Sequence, residues 1–303
     1  MQGLDWLWPG RFARGKFGLI AGLPDMGKGQ IAAFIAAAVT ANIELPCDEG
    51  HAPQGNVIWF NAEDGMKDTV VPRLVAAGAD RKRVKFCTTV RIGGEDKNFS
   101  LVTDLRLLRK TIERIGNVLL VIIDPVSAYL GVGKVDGRSA TDVRGVLTPM
   151  KDMAEELHVA IIGIAHFNKK DDVKSALLRV SDSIAYVAAA RHVYAVLDDP
   201  EDKERKLFVK AKNNLAPDKK ALTAWASKSS GTTQSSASIS RRRSSSGTPS
   251  MSRSPPTRPC RRPGTRPPSA RQRNSCASDW KPDRWTVTTS PKRQSRKASA
   301  WRP

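Results

Sequence analysis

The sequence predicts an α/β fold in which a mostly parallel central sheet carries helices on both faces and ends in an antiparallel hairpin. Three observations predict it. From Met1 to about Trp225, short β-branched runs alternate with helix-length stretches, the pattern of parallel strands joined by crossover helices. The run VLLVIID, Val118–Asp124, is apolar up to its final residue rather than alternating, as a strand buried on both faces must be. A glycine-bearing loop, GLPDMGKGQ, stands directly between an apolar strand and a helical pattern.

The expected strands are Phe17–Gly22, Asn56–Glu63, Val84–Thr88, Asn117–Asp124, Val159–Phe167, His192–Leu197 and Leu207–Lys212. Helical patterns lie between most of them, over Gln30–Ala41, Asp68–Gly78, Val102–Ile115, Ala140–Leu157 and Lys174–Ala189. The last two strands flank DDPEDKERK, a polar turn, and read as the antiparallel hairpin.

Charge and composition divide the chain near the same place. Hydrophobic residues make up 40% of the 303 residues, and the formal net charge is +20. After Trp225 fall 18 of the 50 Lys and Arg but only two of the 30 acids, Asp279 and Asp283. Residues 1–225 therefore hold 32 basic and 28 acidic residues, so the high pI is a property of the tail. The tail itself, rich in Ser, Arg, Pro and Thr, has too few aliphatic residues to offset the entropy of ordering. It reads either as a disordered basic segment that binds nucleic acid non-specifically or as the product of a frame-shifted GC-rich gene. Domains of 1–225 and 226–303 follow.

The four cysteines, Cys47, Cys87, Cys260 and Cys276, show no CxxC or Cys/His ligand spacing, which argues against a disulfide framework or a zinc site. A reducing, cytoplasmic setting fits. No window is apolar enough for a membrane span, and MQGLDWLWPGRF lacks the apolar run of a signal peptide.

The residues that carry chemistry lie at strand ends. Gly22–Gln30 satisfies G-x-x-x-x-G-K with Gly22, Gly27 and Lys28 in place. The loop Gly22, Leu23, Pro24, Asp25, Met26, Gly27, Lys28, Gly29 and Gln30 is thus a candidate phosphate cradle. Backbone N–H groups and the helix dipole would face the phosphates, and Lys28 would reach the β- and γ-phosphates. One element is missing: the residue after the lysine should carry a hydroxyl that helps hold Mg²⁺, and here it is Gly29.

Asp124 closes a buried strand, where ligands bind in open α/β sheets; there its carboxylate can orient Mg²⁺ and its water. The plainer alternative is a strand-ending Asp that caps the next turn. Glu63, in WFNAED, is the candidate general base for the attacking water, with Asp64 as the adjacent alternative. His166 ends another apolar strand and could sense the γ-phosphate, or be structural. Arg191, Lys210 and Lys212 sit on or beside the final hairpin. They read as trans-acting cations directed at a neighbouring subunit's nucleotide or as ordinary surface charges.

Together these motifs resemble the RepA-like and DnaB-like hexameric helicase ATPases of plasmids and phages, within the RecA superfamily. The resemblance runs from Trp6 to about Pro217. It includes WLWPGRFARGKFGLIAG, the AED segment at Ala62–Asp64, DPVSAYL after Asp124, AHFNK and KAKNNLAP. It implies a RecA-like P-loop fold, with Glu63 as base, His166 as the histidine of the H-x-N-K block and Arg191 as an arginine finger. Lys210-Ala-Lys212-Asn213 is similar to the K-x-R-N segment, with Lys replacing Arg.

Two departures, Gly29 for the hydroxyl and Asp25 where glycine is usual, should weaken Mg²⁺–nucleotide binding. Set against the family, the body lacks its final strand, and the basic tail begins in that place. The resemblance implies an ATP-hydrolysing motor acting on single-stranded or origin DNA as a homo-oligomeric ring, a hexamer, with ATP and Mg²⁺ as cofactors. A nucleotide-binding switch with weak turnover is the rival reading.

Overall fold

The computed structural model describes residues 3–87, 89–92, 95–131, 135, 139–167, 184–216, 222–228, 235–241 and 287–289. The chain divides into two units, Met1–Arg242 with Arg284–Pro303, and Arg243–Asp283. The second lies wholly outside the described residues.

The strands of the first unit, in chain order, are β1 (Trp6–Trp8), β2 (Phe12–Ala13), β3 (Phe17–Gly22), β4 (Asn56–Asn61), β5 (Val84–Cys87), β6 (Thr89–Ile92), β7 (Glu95–Asn98), β8 (Val118–Asp124), β9 (Ala160–His166), β10 (His192–Asp199), β11 (Asp202–Asn213), β12 (Leu222–Lys228), β13 (Ser235–Arg241) and β14 (Val287–Thr289). The helices are α1 (Lys28–Ala41), α2 (Val71–Ala76), α3 (Leu105–Ile115), α4 (Ala140–Glu156) and α5 (Ile184–Ala189).

The central sheet runs β13-β12-β11-β10-β3-β9-β8-β4-β5. From β10 to β5 every neighbour is parallel. From β10 outward the strands are antiparallel. This is the expected α/β architecture, with the strand leading into the glycine loop at its centre.

Both faces of the sheet are apolar because the central strands are apolar throughout. All seven residues of β8 are buried. Its Val121 and Ile123 join Phe17, Leu19 and Ala21 of β3 in one core with Leu108, Ile112, Val143, Leu147 and Met150 from α3 and α4. Leu120 and Ile122, also buried, alternate with them and so point to the other face. There α1 packs on β3, β4 and β8 and contacts α2. A continuous hydrophobic run is therefore divided, residue by residue, between two helix layers.

The hairpin β10–β11 forms where expected, but its strands extend into the polar segment and leave only Pro200 and Glu201 between them. Ion pairs made by Arg205 with Asp199 and by Lys206 with Asp198 let charged residues continue the ladder. The expected strand Asn56–Glu63 stops at Asn61, which frees Glu63 from the sheet. The expected helix over Asp68–Gly78 begins as a wide π-type turn, Met66–Val70, and becomes α-helical at Val71. Of the helix expected over Lys174–Ala189, the described part is α5; its beginning, residues 174–183, lies outside the described residues.

Three features have no counterpart among the expected elements. Strands β6 and β7 pair antiparallel and β14 lies parallel to β6. Strand β12 crosses Trp225 and, with β13, continues the sheet beyond β11, where the sequence suggests no further strand. The rest of the tail lies outside the described residues.

The hairpin β1–β2 is the third, and its aromatic residues explain where it sits. Trp8 lies against Phe34 of α1 and stacks on Phe208 at 6.3 Å. Phe12 meets Tyr194 at 5.2 Å, and Tyr194 stacks on Phe208 at 4.7 Å. Arg11 is threaded through this cluster. It lies over the Trp8 and Tyr194 rings and pairs through two nitrogens with Glu49, at 2.8 and 3.0 Å. Trp8 Nε1 donates to the same carboxylate at 2.6 Å. A buried guanidinium is tolerated because its partner is fully engaged.

Candidate functional site

The parallel strands deliver their chemistry to one edge. Register places Gly22 opposite His166 and Asn61 opposite Asp124. The order β3-β9-β8-β4 therefore sets the loop after β3, His166, Asp124 and the segment after β4 side by side. Two backbone bonds stitch the edge: Phe167 N–H donates to the Gly22 carbonyl at 3.1 Å, and Ala62 N–H to the Asp124 carbonyl at 2.9 Å.

The loop Gly22–Gln30 has the shape its sequence demands. Gly27 caps α1 with φ of 82°, a left-handed conformation that glycine adopts at no steric cost. Its carbonyl accepts from Gln30 and Ile31, both at 3.1 Å, to start the helix. Asp25 has φ of 59°, so a residue with a Cβ occupies a left-handed position at a cost of about 1 kcal/mol. That is the physical reason a glycine is usual there. Lys28, only 6% exposed, folds over the loop and donates from Nζ to the Leu23 carbonyl at 2.7 Å. Burial lowers its pKa, against the pull of Asp124, Glu63, Asp25 and Asp64.

Glu63 and His166 meet directly, Nε2 to Oε2 at 3.1 Å. A carboxylate only accepts, so Nε2 carries the hydrogen and donates. His166 Nδ1 is buried and has no hydrogen-bond partner among the described residues. Asp124 is buried, and its carboxyl is pushed up to about 7, first by desolvation and then by Glu63 and Asp64, with Lys28 and Arg73 pulling the other way. The site thus gathers three carboxylates, Glu63, Asp64 and Asp124, around the buried Lys28 ammonium and the Arg73 guanidinium, and is one positive charge short of balance.

That shortage, together with the buried Asn61 Oδ1 on the register partner of Asp124, unpaired among the described residues, suits a hydrated divalent cation on the carboxylate side. Among the described residues no three Asp, Glu, His or Cys side chains converge as a metal cage. A nucleotide-borne Mg²⁺ needs only one or two carboxylates besides phosphate and water. The P-loop side offers no ligand, because Gly29 has no side chain.

The space beside Gly29 is filled instead by Arg73, which sequence reasoning missed. A Cβ at Gly29 would lie 2.7 Å from Arg73 Nη1 and 3.9 Å from Asp64 Oδ2. Arg73 comes from α2 and pairs with Asp64. Asp64 is held on its other side by Asn61 Nδ2, which donates to its carbonyl at 2.5 Å. An arginine nine residues after the AED acid, on the next helix, was the available signal.

Arg191, Lys210 and Lys212 are not brought to this edge. Arg191 precedes β10, whose first residue pairs with Gly18 and whose Val196 pairs with Gly22. At about 3.3 Å per residue this places Arg191 some ~17 Å from the P-loop end of β3. Its side chain is exposed, and its N–H donates to the Phe17 carbonyl at 2.8 Å. Lys212 Nζ donates to the carbonyls of Val187 and Ala190, both at 2.8 Å, and so caps α5. Lys210 pairs with Tyr194 in mid-strand.

A strand–GxxxxGK–helix loop flanked by an acid-tipped parallel strand defines a P-loop ATPase domain of RecA-like fold. The chain belongs to the AAA domain family, whose model matches residues 2–172. A solved ATPase domain is similar in fold, with a TM-score of 0.51 at 16% identity over 70% of this chain and 82% of that chain. No curated protein matches in sequence. These findings bear out the resemblance to RecA-like ATPases in fold and class. Among the described residues no helix is long and apolar enough to cross a membrane.

Proposed function

We propose that the chain binds ATP in the Gly22–Gln30 loop and hydrolyses it as the motor of a ring acting on DNA, in the manner of replicative helicases. The observation that carries this reading is the gathering of Lys28, Glu63, Asp124 and His166 on one sheet edge, with Glu63 and His166 in contact.

Backbone N–H groups at the start of α1 and the Lys28 ammonium would hold the β- and γ-phosphates. Lys28 reaches them by leaving the Leu23 carbonyl. Glu63 lies outside the strand and its side chain is 52% exposed, so water can reach it. It takes the proton of the attacking water. His166, bonded to Glu63, orients that carboxylate and is placed to register the loss of the γ-phosphate. Mg²⁺ held through water by Asp124 would neutralise phosphate charge when bound.

Arg191, at the far end of the strands from its own P-loop, is directed to a neighbouring subunit, with Lys210 further along β11. Lys212 could join them only by leaving the carbonyls it caps. A homo-oligomeric ring, a hexamer, brings such an edge to the next nucleotide. The similarity to an ATPase domain and the family match support the ATPase part. DNA action rests on the sequence resemblance to ring helicases and on the basic residues after Trp225.

Steady-state ATPase measurements with and without single-stranded DNA test the reading. Turnover stimulated by DNA supports a motor. Nucleotide binding with no turnover in either condition replaces it with the second reading, a nucleotide-dependent switch, which the arginine seated beside Gly29 favours.

A further inference from the structure

Gly29 and Arg73 belong together. In a P-loop with Ser or Thr after the lysine, a side chain grows from this position toward the phosphate site; here the volume it would fill holds a guanidinium. A bare Cβ would already come within 2.7 Å of Arg73 Nη1 and 3.6 Å of its Cζ. The glycine and the arginine are therefore complementary in shape, and in charge they exchange one source of positive potential for another. A hydroxyl acts by helping to hold a divalent cation; a guanidinium is itself a permanent cation with a fork of donors that matches phosphate oxygens.

The rest of the site is built to hold and release that arginine. Asp64 fixes Nη1 beside the loop, and Asp64 is steadied in turn by Asn61. The pair is part-exposed, at 28% and 37% of the two side chains, so exchanging the carboxylate for a phosphate costs little. The three carboxylates of the edge would repel a bare triphosphate. Pairing one of them with Arg73 removes part of that repulsion.

We infer that Arg73, seated over Gly29, binds the nucleotide's phosphates in place of the P-loop's share of the metal site, so that nucleoside triphosphate binding, as distinct from its hydrolysis, does not require a divalent cation. The inference rests on the P-loop reading above. It makes Arg73 a binding residue and the Gly29/Arg73 pair the determinant of metal dependence.

The test is titration of the full chain with a fluorescent ATP analogue, once in excess Mg²⁺ and once in EDTA. Wild type should bind with affinities within about threefold of each other in the two conditions. Arg73→Gln should lose about tenfold or more in EDTA, the scale of a charge-assisted hydrogen bond, and recover part of the loss in Mg²⁺. Gly29→Ser offers a second route that leaves the arginine in the chain. Its hydroxymethyl group displaces only the far end of a flexible side chain, and binding should become Mg²⁺-dependent by a similar factor. Wild-type affinity that collapses in EDTA, or Arg73→Gln and Gly29→Ser that both match wild type there, overturns the inference while leaving the P-loop reading intact. Absence of binding in both conditions, or binding unaffected by Lys28→Ala, removes the P-loop reading and this inference with it.

Discussion

His166 Nε2 and Glu63 Oε2 lie 3.1 Å apart although 103 residues separate them in sequence. One comes from the end of β9, the other from just beyond β4, and β8 with Asp124 runs between those strands. The contact ties the proposed base to the proposed sensor. Glu63→Gln should therefore bind ATP normally and turn it over at least ~100-fold more slowly, the usual range for loss of a general base. Single-turnover kinetics beside binding titrations would show it. Asp64→Asn proving the more damaging change would transfer the role to the neighbour.

Lys28→Ala should abolish nucleotide binding and leave the fold in place. Among the described residues the ammonium makes one hydrogen bond, to the Leu23 carbonyl. Circular dichroism and fluorescence titration on the same sample measure both halves. Unchanged affinity would disprove the phosphate-cradle assignment.

The pairing of Arg11 with Glu49 predicts a large effect far from the nucleotide. Both side chains are almost fully enclosed, at 2% and 7% exposure. Glu49→Ala removes the carboxylate shared by the buried guanidinium and Trp8 Nε1 and should cost about 3–5 kcal/mol. Denaturant unfolding reads this directly. A loss below about 1 kcal/mol would mean that water or a shifted side chain satisfies Arg11.

His192 predicts acid sensitivity. Its Nε2 accepts the Ala13 N–H at 3.3 Å, so Nδ1 bears the proton and donates to Asn213 Oδ1 at 3.3 Å. A second ring proton would face a backbone donor. Burial, above all, pushes its pKa down to about 4. The unfolded chain then binds this proton at a higher pH than the folded chain does. Stability is intact above about pH 6.5 and is lost as pH falls toward 4, by up to about 3 kcal/mol. Asp124, raised to about 7, acts in the opposite sense over the same range. The informative comparison is thus wild type against His192→Asn, and the variant should show the smaller acid-induced loss. Equal pH profiles would remove His192 as the cause.

Mixing Lys28→Ala subunits with Arg191→Ala subunits tests the trans assignment. Some interfaces in the mixture join an intact P-loop to an intact arginine, so ATPase activity should partly recover. Full activity of Arg191→Ala by itself, or no recovery in assemblies shown to be mixed, would defeat it.

The parallel core was legible because its signals are local. Val118–Asp124 is apolar until it reaches the site, and Gly22–Gln30 spells its own geometry. What stayed hidden depends on distant partners. Nothing near Trp8 announces that it will stack on Phe208, and the short hairpin β1–β2 has no alternation to read. Arg73 carries only a weak local signal for a similar reason, since its meaning lies in the missing side chain of Gly29, far back along the chain. Lys212 looked like a free cation because a helix C-terminus needing carbonyl partners cannot be seen in the hairpin's own sequence. Glu63 is expected as the last residue of its strand, but the strand ends two residues sooner than its apolar run suggests.

Strand β3 is bonded at both extremities to segments that hold residues of the proposed mechanism. Its first carbonyl accepts the Arg191 N–H and its last accepts the Phe167 N–H, next to His166. A fully buried six-residue strand cannot slide past parallel neighbours without breaking a whole ladder at once. It is therefore a strut: the side of the subunit that would face the next nucleotide and the side that grips its own are held at a fixed separation. In a ring of such subunits, tilting one edge by a small angle must swing the other by the same angle. Chemistry at one interface would then be felt at the next as rigid rotation, with no loop in between to absorb it.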